Sequence, residues 1–126
     1  MFFLYFWKRR RDIYEKYCDG LQGIHGVDFP RLVENSKRAY HLFTIWVDQD
    51  KRNNILKQLG GSGIGVAVNF RNIHLLIFFV QKFAWKRRIL PVAEKIVNST
   101  ISLPFYPKLS EPEIKHVAQT FKKIIT

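Results

Sequence analysis

Apolar positions recur along the chain with two different periods, and the switches between them mark the elements. Phe6, Ile13, Tyr17 and Leu21 fall on one side of a helical wheel, with Arg9, Asp12, Glu15 and Lys16 on the rest, which predicts a helix from about Phe6 to Asp19 stopped by Gly20. The run from Tyr40 to Val47 is aromatic and β-branched and predicts a strand. Both of its faces are mostly apolar, so it is expected in the centre of a sheet, with His41 as a core residue. Asp48 or Asp50 can cap a short helix through Leu59, which presents Ile55, Leu56 and Leu59 on one face and ends at Gly60 and Gly61. Val66, Val68 and Phe70 then alternate with Ala67, Asn69 and Arg71, the pattern of a second strand. Ile73 to Phe83 reads as a helix or a tightly packed apolar segment, and Pro91 opens a short helix through Ile96. Thr100 to Leu103 is a third strand closed by Pro104. Ser110 and Glu113 form a capping box ahead of Ile114, Val117, Ala118, Phe121 and Ile125, which predicts a C-terminal amphipathic helix. The expected fold class is α+β: a small, mainly antiparallel sheet of about three strands with helices packed on it.

Length and composition fit that picture. The chain has 126 residues, of which 47% are hydrophobic and 25% charged, the mixture of one globular domain. Aromatic residues reach 15%, so the core is expected to be built largely from rings. The formal charge of +11 attracts polyanions, but the basic runs at Lys8–Arg11, Lys37–Arg38, Lys51–Arg52, Lys86–Arg88 and Lys122–Lys123 are scattered, the pattern of a solvated surface. Any nucleic-acid binding is therefore expected to be nonspecific. No segment approaches the ~18 consecutive apolar residues of a membrane span. The opening MFFLYFW carries its charges after the apolar stretch, unlike a signal peptide, and the single Cys18 suits a reducing, cytoplasmic setting.

Candidate chemistry is sparse. The glycine-rich run Gly60–Val66 leaves a helix C-terminus and enters a strand, the reverse of a phosphate loop. Nothing links Cys18 to His25, His41, His74 or His116 as a nucleophile and base, and no metal-ligand spacing is present. The polar end of the second strand, Asn69 and Arg71, together with His74 in the loop beyond, is the best candidate for contact with a ligand.

At these residues the chain closely resembles a known family. Tyr40–Val47, then GIGVAVNFRNIHLL from Gly63 to Leu76, then Leu90–Ile114 with its SLPFYPKLS motif from Ser102 to Ser110, are similar to the C-terminal part of DegT/StrS-type sugar aminotransferases. The Arg, Tyr and Leu positions within Arg10 to Leu21 also stand at matching places. The chain departs from the family at its first seven residues, at Ala84–Leu90, where relatives commonly have a turn with Gly and Asp, and at Asn69, where many carry His.

The resemblance implies a fold type I enzyme that uses pyridoxal phosphate to move an amino group, usually from glutamate, to a keto sugar on a nucleotide. It implies that residues 29–126 are the small C-terminal domain, and residues 1–28 a helix and loop leading towards a large domain. In the family the Schiff-base Lys and most cofactor contacts lie in that large domain, and nothing in the 126 residues resembles the Lys motif. The chain is then expected to be inactive alone, with no catalytic residue of its own and no bound cofactor. Asn69, Arg71 and His74 would be its substrate-binding residues, and a large domain or a dimer partner would complete it. Two other readings remain at this level: a noncatalytic oligomerisation or regulatory remnant, and a basic module that binds nucleic acid.

Overall fold

A computed structural model describes residues 2–126. Helix α1 (Phe2–Leu21) leads through a long loop to strand β1 (Phe43–Trp46) and helix α2 (Gln49–Gly61). A 3-10 turn (Ile73–Leu75), helix α3 (Ile77–Phe83), helix α4 (Pro91–Ser99), strand β2 (Thr100–Leu103) and helix α5 (Glu111–Ile125) complete the chain. The α+β class is as expected.

The two strands are antiparallel, with Phe43 opposite Leu103 and Trp46 opposite Thr100. Single rungs widen the sheet on both sides, Asp28 pairing with Trp46 and Ala67 with Ser102. β1 is thus interior, flanked by β2 and by residue 28. The expected strand over residues 66–71 contracts to that one rung at Ala67. Gly63 and Gly65 ahead of it raise the entropy cost of extending the chain, and no further strand among the described residues lies on its outer side to hold it. His41 is exposed instead of buried, because regular pairing begins only at Phe43.

The core is aromatic at its centre. Tyr17 stacks on Phe43 at 4.7 Å, Tyr14 meets the same ring edge-on at 4.9 Å, and Phe29 and Phe105 close round it at 6.0 and 6.4 Å. Ile13 and Leu21 of α1, Ile45, Ile101, and Ile114, Val117 and Phe121 of α5 extend the cluster. The Tyr17 hydroxyl, buried with its ring, donates to the Pro104 carbonyl at 2.8 Å, so the phenol brings no unpaired polar group into the core.

Local signals explain the helix ends. The Asp48 carboxylate accepts the Asp50 amide at 2.8 Å, and Glu113 accepts both the Ser110 amide and hydroxyl, at 2.7 and 2.6 Å. Gly20 does not stop α1. The helix runs through it to Leu21, and a Cβ at that position would stand 3.2 Å from Ala118 Cβ, so the glycine lets α1 lie close against α5. Phe6, expected on the buried stripe, is exposed, because α1 begins earlier and its first turns run past the core. The first residue to dock is Trp7, edge-on to Tyr40 at 5.6 Å with its indole N–H donating to the Arg38 carbonyl at 2.8 Å.

The apolar stretch from Ile73 onwards is not packed inside. None of the residues of α3 is buried, and the ring cluster of Phe79, Phe83 and Trp85 is stacked on itself at the surface.

Candidate substrate-binding edge

The three residues singled out in the sequence come from one stretch of chain leaving the sheet. The rung between Ala67 and Ser102 fixes its start, with N–H···O distances of 3.2 and 2.8 Å. Two residues on, Asn69 is half-buried and joined to Phe70 by a cis peptide bond; Arg71 is exposed. Neither side chain enters the hydrogen bonds and ion pairs that tie the described residues together, so both keep their full capacity for a ligand.

His74 is different. It is only 4% exposed, and its Nε2 lies 2.9 Å from Glu94 Oε1 on α4. The same carboxylate oxygen accepts the Arg88 amide at 2.6 Å. The hydrogen bond from His74, with that from Arg88, holds the Glu94 carboxyl below the usual carboxylate range. Because Glu94 is held ionised, Nε2 is the protonated ring nitrogen and donates. The structure therefore leaves Asn69 and Arg71 unpaired on the stretch that follows the Ala67 rung, and His74, further along the same stretch, ties it to α4. Sequence reading missed Glu94. It stands in the first turn after Pro91, where an acid is ordinary, and only the fold puts it against a histidine 20 residues away.

Open hollows of about 710, 780 and 730 Å³ lie beside Gly63–Val68, between Val27 and Lys95, and beside Tyr106 and His116; none is lined by Asn69, Arg71 or His74. Among the described residues no cluster of His, Cys, Asp and Glu could hold a metal, and no helix is long and apolar enough to cross a membrane.

Part of the basic charge is internal bracing. Arg9 donates to the carbonyls of Pro107 and Leu109, at 3.1 and 2.6 Å, and Arg10 to those of Tyr40 and His41, at 3.2 and 3.1 Å. Arg38 donates to the Tyr14 hydroxyl and to the carbonyls of Pro30 and Arg31. These guanidinium groups hold the loop after α1 and the segment before α5 in place, a role that pairing patterns along the sequence do not reveal.

Residues 4–122 match the profile of the DegT/DnrJ/EryC1/StrS aminotransferase family. The chain belongs to this family. It is 30% identical over 123 residues to an uncharacterised protein of Methanocaldococcus jannaschii, a match that covers 94% of this chain and 32% of that protein. It is 28% identical over 123 residues to the spore coat polysaccharide biosynthesis protein SpsC of Bacillus subtilis, with the same coverages. The fold superposes with a TM-score of 0.86 on the solved structure of DesV of S. venezuelae, 25% identical, covering 94% of this chain and 31% of that one. The chain thus spans about a third of the length of the relatives it matches.

Proposed function

We propose that the chain is the small-domain portion of a pyridoxal-phosphate-dependent aminotransferase that acts on a nucleotide-linked keto sugar, with an amino acid, glutamate by preference, as donor. The observation that carries this reading is the family match over residues 4–122 together with an open polar edge at Asn69 and Arg71 that the chain's own residues leave unengaged. A guanidinium and an amide on an exposed edge suit the phosphates and hydroxyls of such a substrate.

The edge does not fit the anchoring of the cofactor itself. That needs a Lys amine within covalent reach and a free carboxylate for the pyridine nitrogen, whereas the stretch from Asn69 to His74 contains no Lys and the carboxylate bonded into the region, Glu94, is already taken by His74 and Arg88. On this reading the cofactor, the Lys and the acid belong to the other two thirds of the family's length. This chain contributes Asn69 and Arg71 as substrate contacts, with His74 and Glu94 as positioning residues, and the cytoplasm, where nucleotide sugars are available, is its place of action.

The test is a fusion in which this chain replaces the segment it matches in SpsC of Bacillus subtilis. A fusion that takes up pyridoxal phosphate is expected to aminate a nucleotide-linked keto sugar, and Asn69→Ala or Arg71→Ala to lower kcat/KM for the sugar at least tenfold. A folded, cofactor-loaded fusion without amino transfer, or variants with unchanged kcat/KM, would refute the reading.

A further inference from the structure

The sequence carries a strand pattern over residues 66–71 that the fold uses at one rung only. At that rung Ala67 exchanges both of its backbone bonds with Ser102, at 3.2 and 2.8 Å. In extended chain the N–H and C=O groups of successive residues point to opposite sides, so those of Val66 and Val68 turn away from β2. No backbone hydrogen bond among the described residues engages them. The edge is also bare. Sheet edges are ordinarily guarded by a charge, a proline or a covering segment, whereas Gly63 to Phe70 includes no charged residue and no Pro, and a Cβ at Gly65 would meet nothing within 4 Å. The open hollow of about 710 Å³ beside this segment is lined by Val66 and Val68 and by Leu56 and Lys57 of α2.

We propose that residues 64–68 receive an extended acidic segment of another protein, which joins the sheet as a strand paired with Val66 and Val68 on the side away from β2. Main-chain hydrogen bonds supply the grip, and alternate side chains of the incoming strand enter the hollow against Leu56. The added neighbour turns the single rung at Ala67 into the regular strand that the alternation of residues 66–71 encodes. Charge selects the occupant. Lys57 is exposed and makes no ion pair among the described residues, and the 43 residues between Asp50 and Glu94 hold eight Lys and Arg and no carboxylate, so acidic residues on the incoming strand meet attraction without repulsion. A second copy of the chain would set this cationic stretch against itself, since a two-fold contact uses one patch twice. Asn69 and Arg71 lie beyond the paired residues and stay free for a substrate.

The probe is a fluorescein-labelled, amidated octapeptide of alternating Glu and Val, titrated into the full chain and read by anisotropy, with amide exchange followed by NMR. Saturable binding is expected, with exchange of the Val66 and Val68 amides slowed at least tenfold. Val68→Pro deletes an outward N–H, spares both bonds of Ala67 and favours extended backbone there; it should weaken binding at least tenfold. Lys57→Glu, on an exposed position of α2, should weaken it at least fivefold, as should replacing Glu by Lys in the peptide, and it decides the question if the proline variant unfolds. Absence of saturable binding overturns the proposal. So does equal binding of the Lys–Val peptide or by folded variants, and so does binding that leaves the Val66 and Val68 amides exchanging freely. Slow exchange of those amides without peptide also overturns it: in a defined dimer of the chain the edge belongs to a second copy, and in the SpsC fusion it is covered by the rest of the enzyme. Peptide binding to a chain whose fusion lacks amino transfer upholds the edge and removes the functional reading; amino transfer without peptide binding does the reverse.

Discussion

His74 Nε2 and Glu94 Oε1 meet at 2.9 Å across 20 residues, and that contact fastens the polar edge of the sheet to α4. The carboxyl is held below its usual range by His74. A carboxyl of lowered pKa binds fewer protons folded than unfolded, so its contribution to stability is complete above the ordinary Glu range, near pH 4.3, and is lost as pH falls through the folded value. Glu111, lowered by Lys16, and Glu113, lowered by Ser110, act in the same direction. The thermal midpoint is expected to fall between pH 6 and pH 3, and to fall less in Glu94→Gln, measured by circular dichroism. Equal pH dependence in the two proteins would remove Glu94 from the account.

Phe43 sits at the centre of the ring cluster and is fully buried. Phe43→Ala should cost about 3–5 kcal/mol, from lost transfer energy and a cavity that the neighbouring rings fill only in part. Phe43→Leu should cost clearly less. Urea unfolding of the three proteins measures the difference, and a near-neutral alanine variant would show that the cluster repacks freely.

The aromatic start divides between Phe6 and Trp7. Phe2, Phe3 and Tyr5 are 66–81% exposed, whereas Trp7 packs on Tyr40 and bonds to Arg38. Deleting residues 1–6 is expected to reduce self-association with little change in the unfolding midpoint, because only exposed apolar surface is lost. Deleting residues 1–7 should lower the midpoint, by an amount of the order of a lost ring contact and hydrogen bond, about 1–3 kcal/mol. Light scattering and denaturant titration on the two shortened chains decide between them.

Cys18 is half-buried, and burial pushes its thiol up to about 11. Only the thiolate is alkylated, so at pH 8 the residue should react with iodoacetamide more than tenfold more slowly than an unhindered thiol of pKa ~8.5. The lag should vanish in urea. A rate equal to that of the unfolded chain would place the thiol in water.

Elements with local causes were legible in the sequence. Helix α5 carries its own capping pair in Ser110 and Glu113, α2 is started by Asp48, and the apolar faces of Tyr40–Val47 reported an interior strand before any partner was known. What escaped depends on contacts between distant segments. The alternation over residues 66–71 is real, yet only Ala67 finds a partner, because a strand exists through its neighbour. Gly20 looked like a helix stop, and its purpose emerges only once Ala118 lies opposite it. Asn69 and Arg71 were recognisable as an open polar edge, while the burial of His74 rests on Glu94, which no spacing rule connects to it. The apolar run after Ile73 suggested packing, and it is left uncovered by the described residues.

The proposed dependence of this chain on the rest of an aminotransferase is tested most directly by incubating it with pyridoxal phosphate, reducing with borohydride and mapping the product by mass spectrometry. The account predicts sparse labelling scattered over the surface lysines and no amino transfer. Stoichiometric labelling of a single Lys, with a matching absorbance band that disappears on reduction, would contradict it.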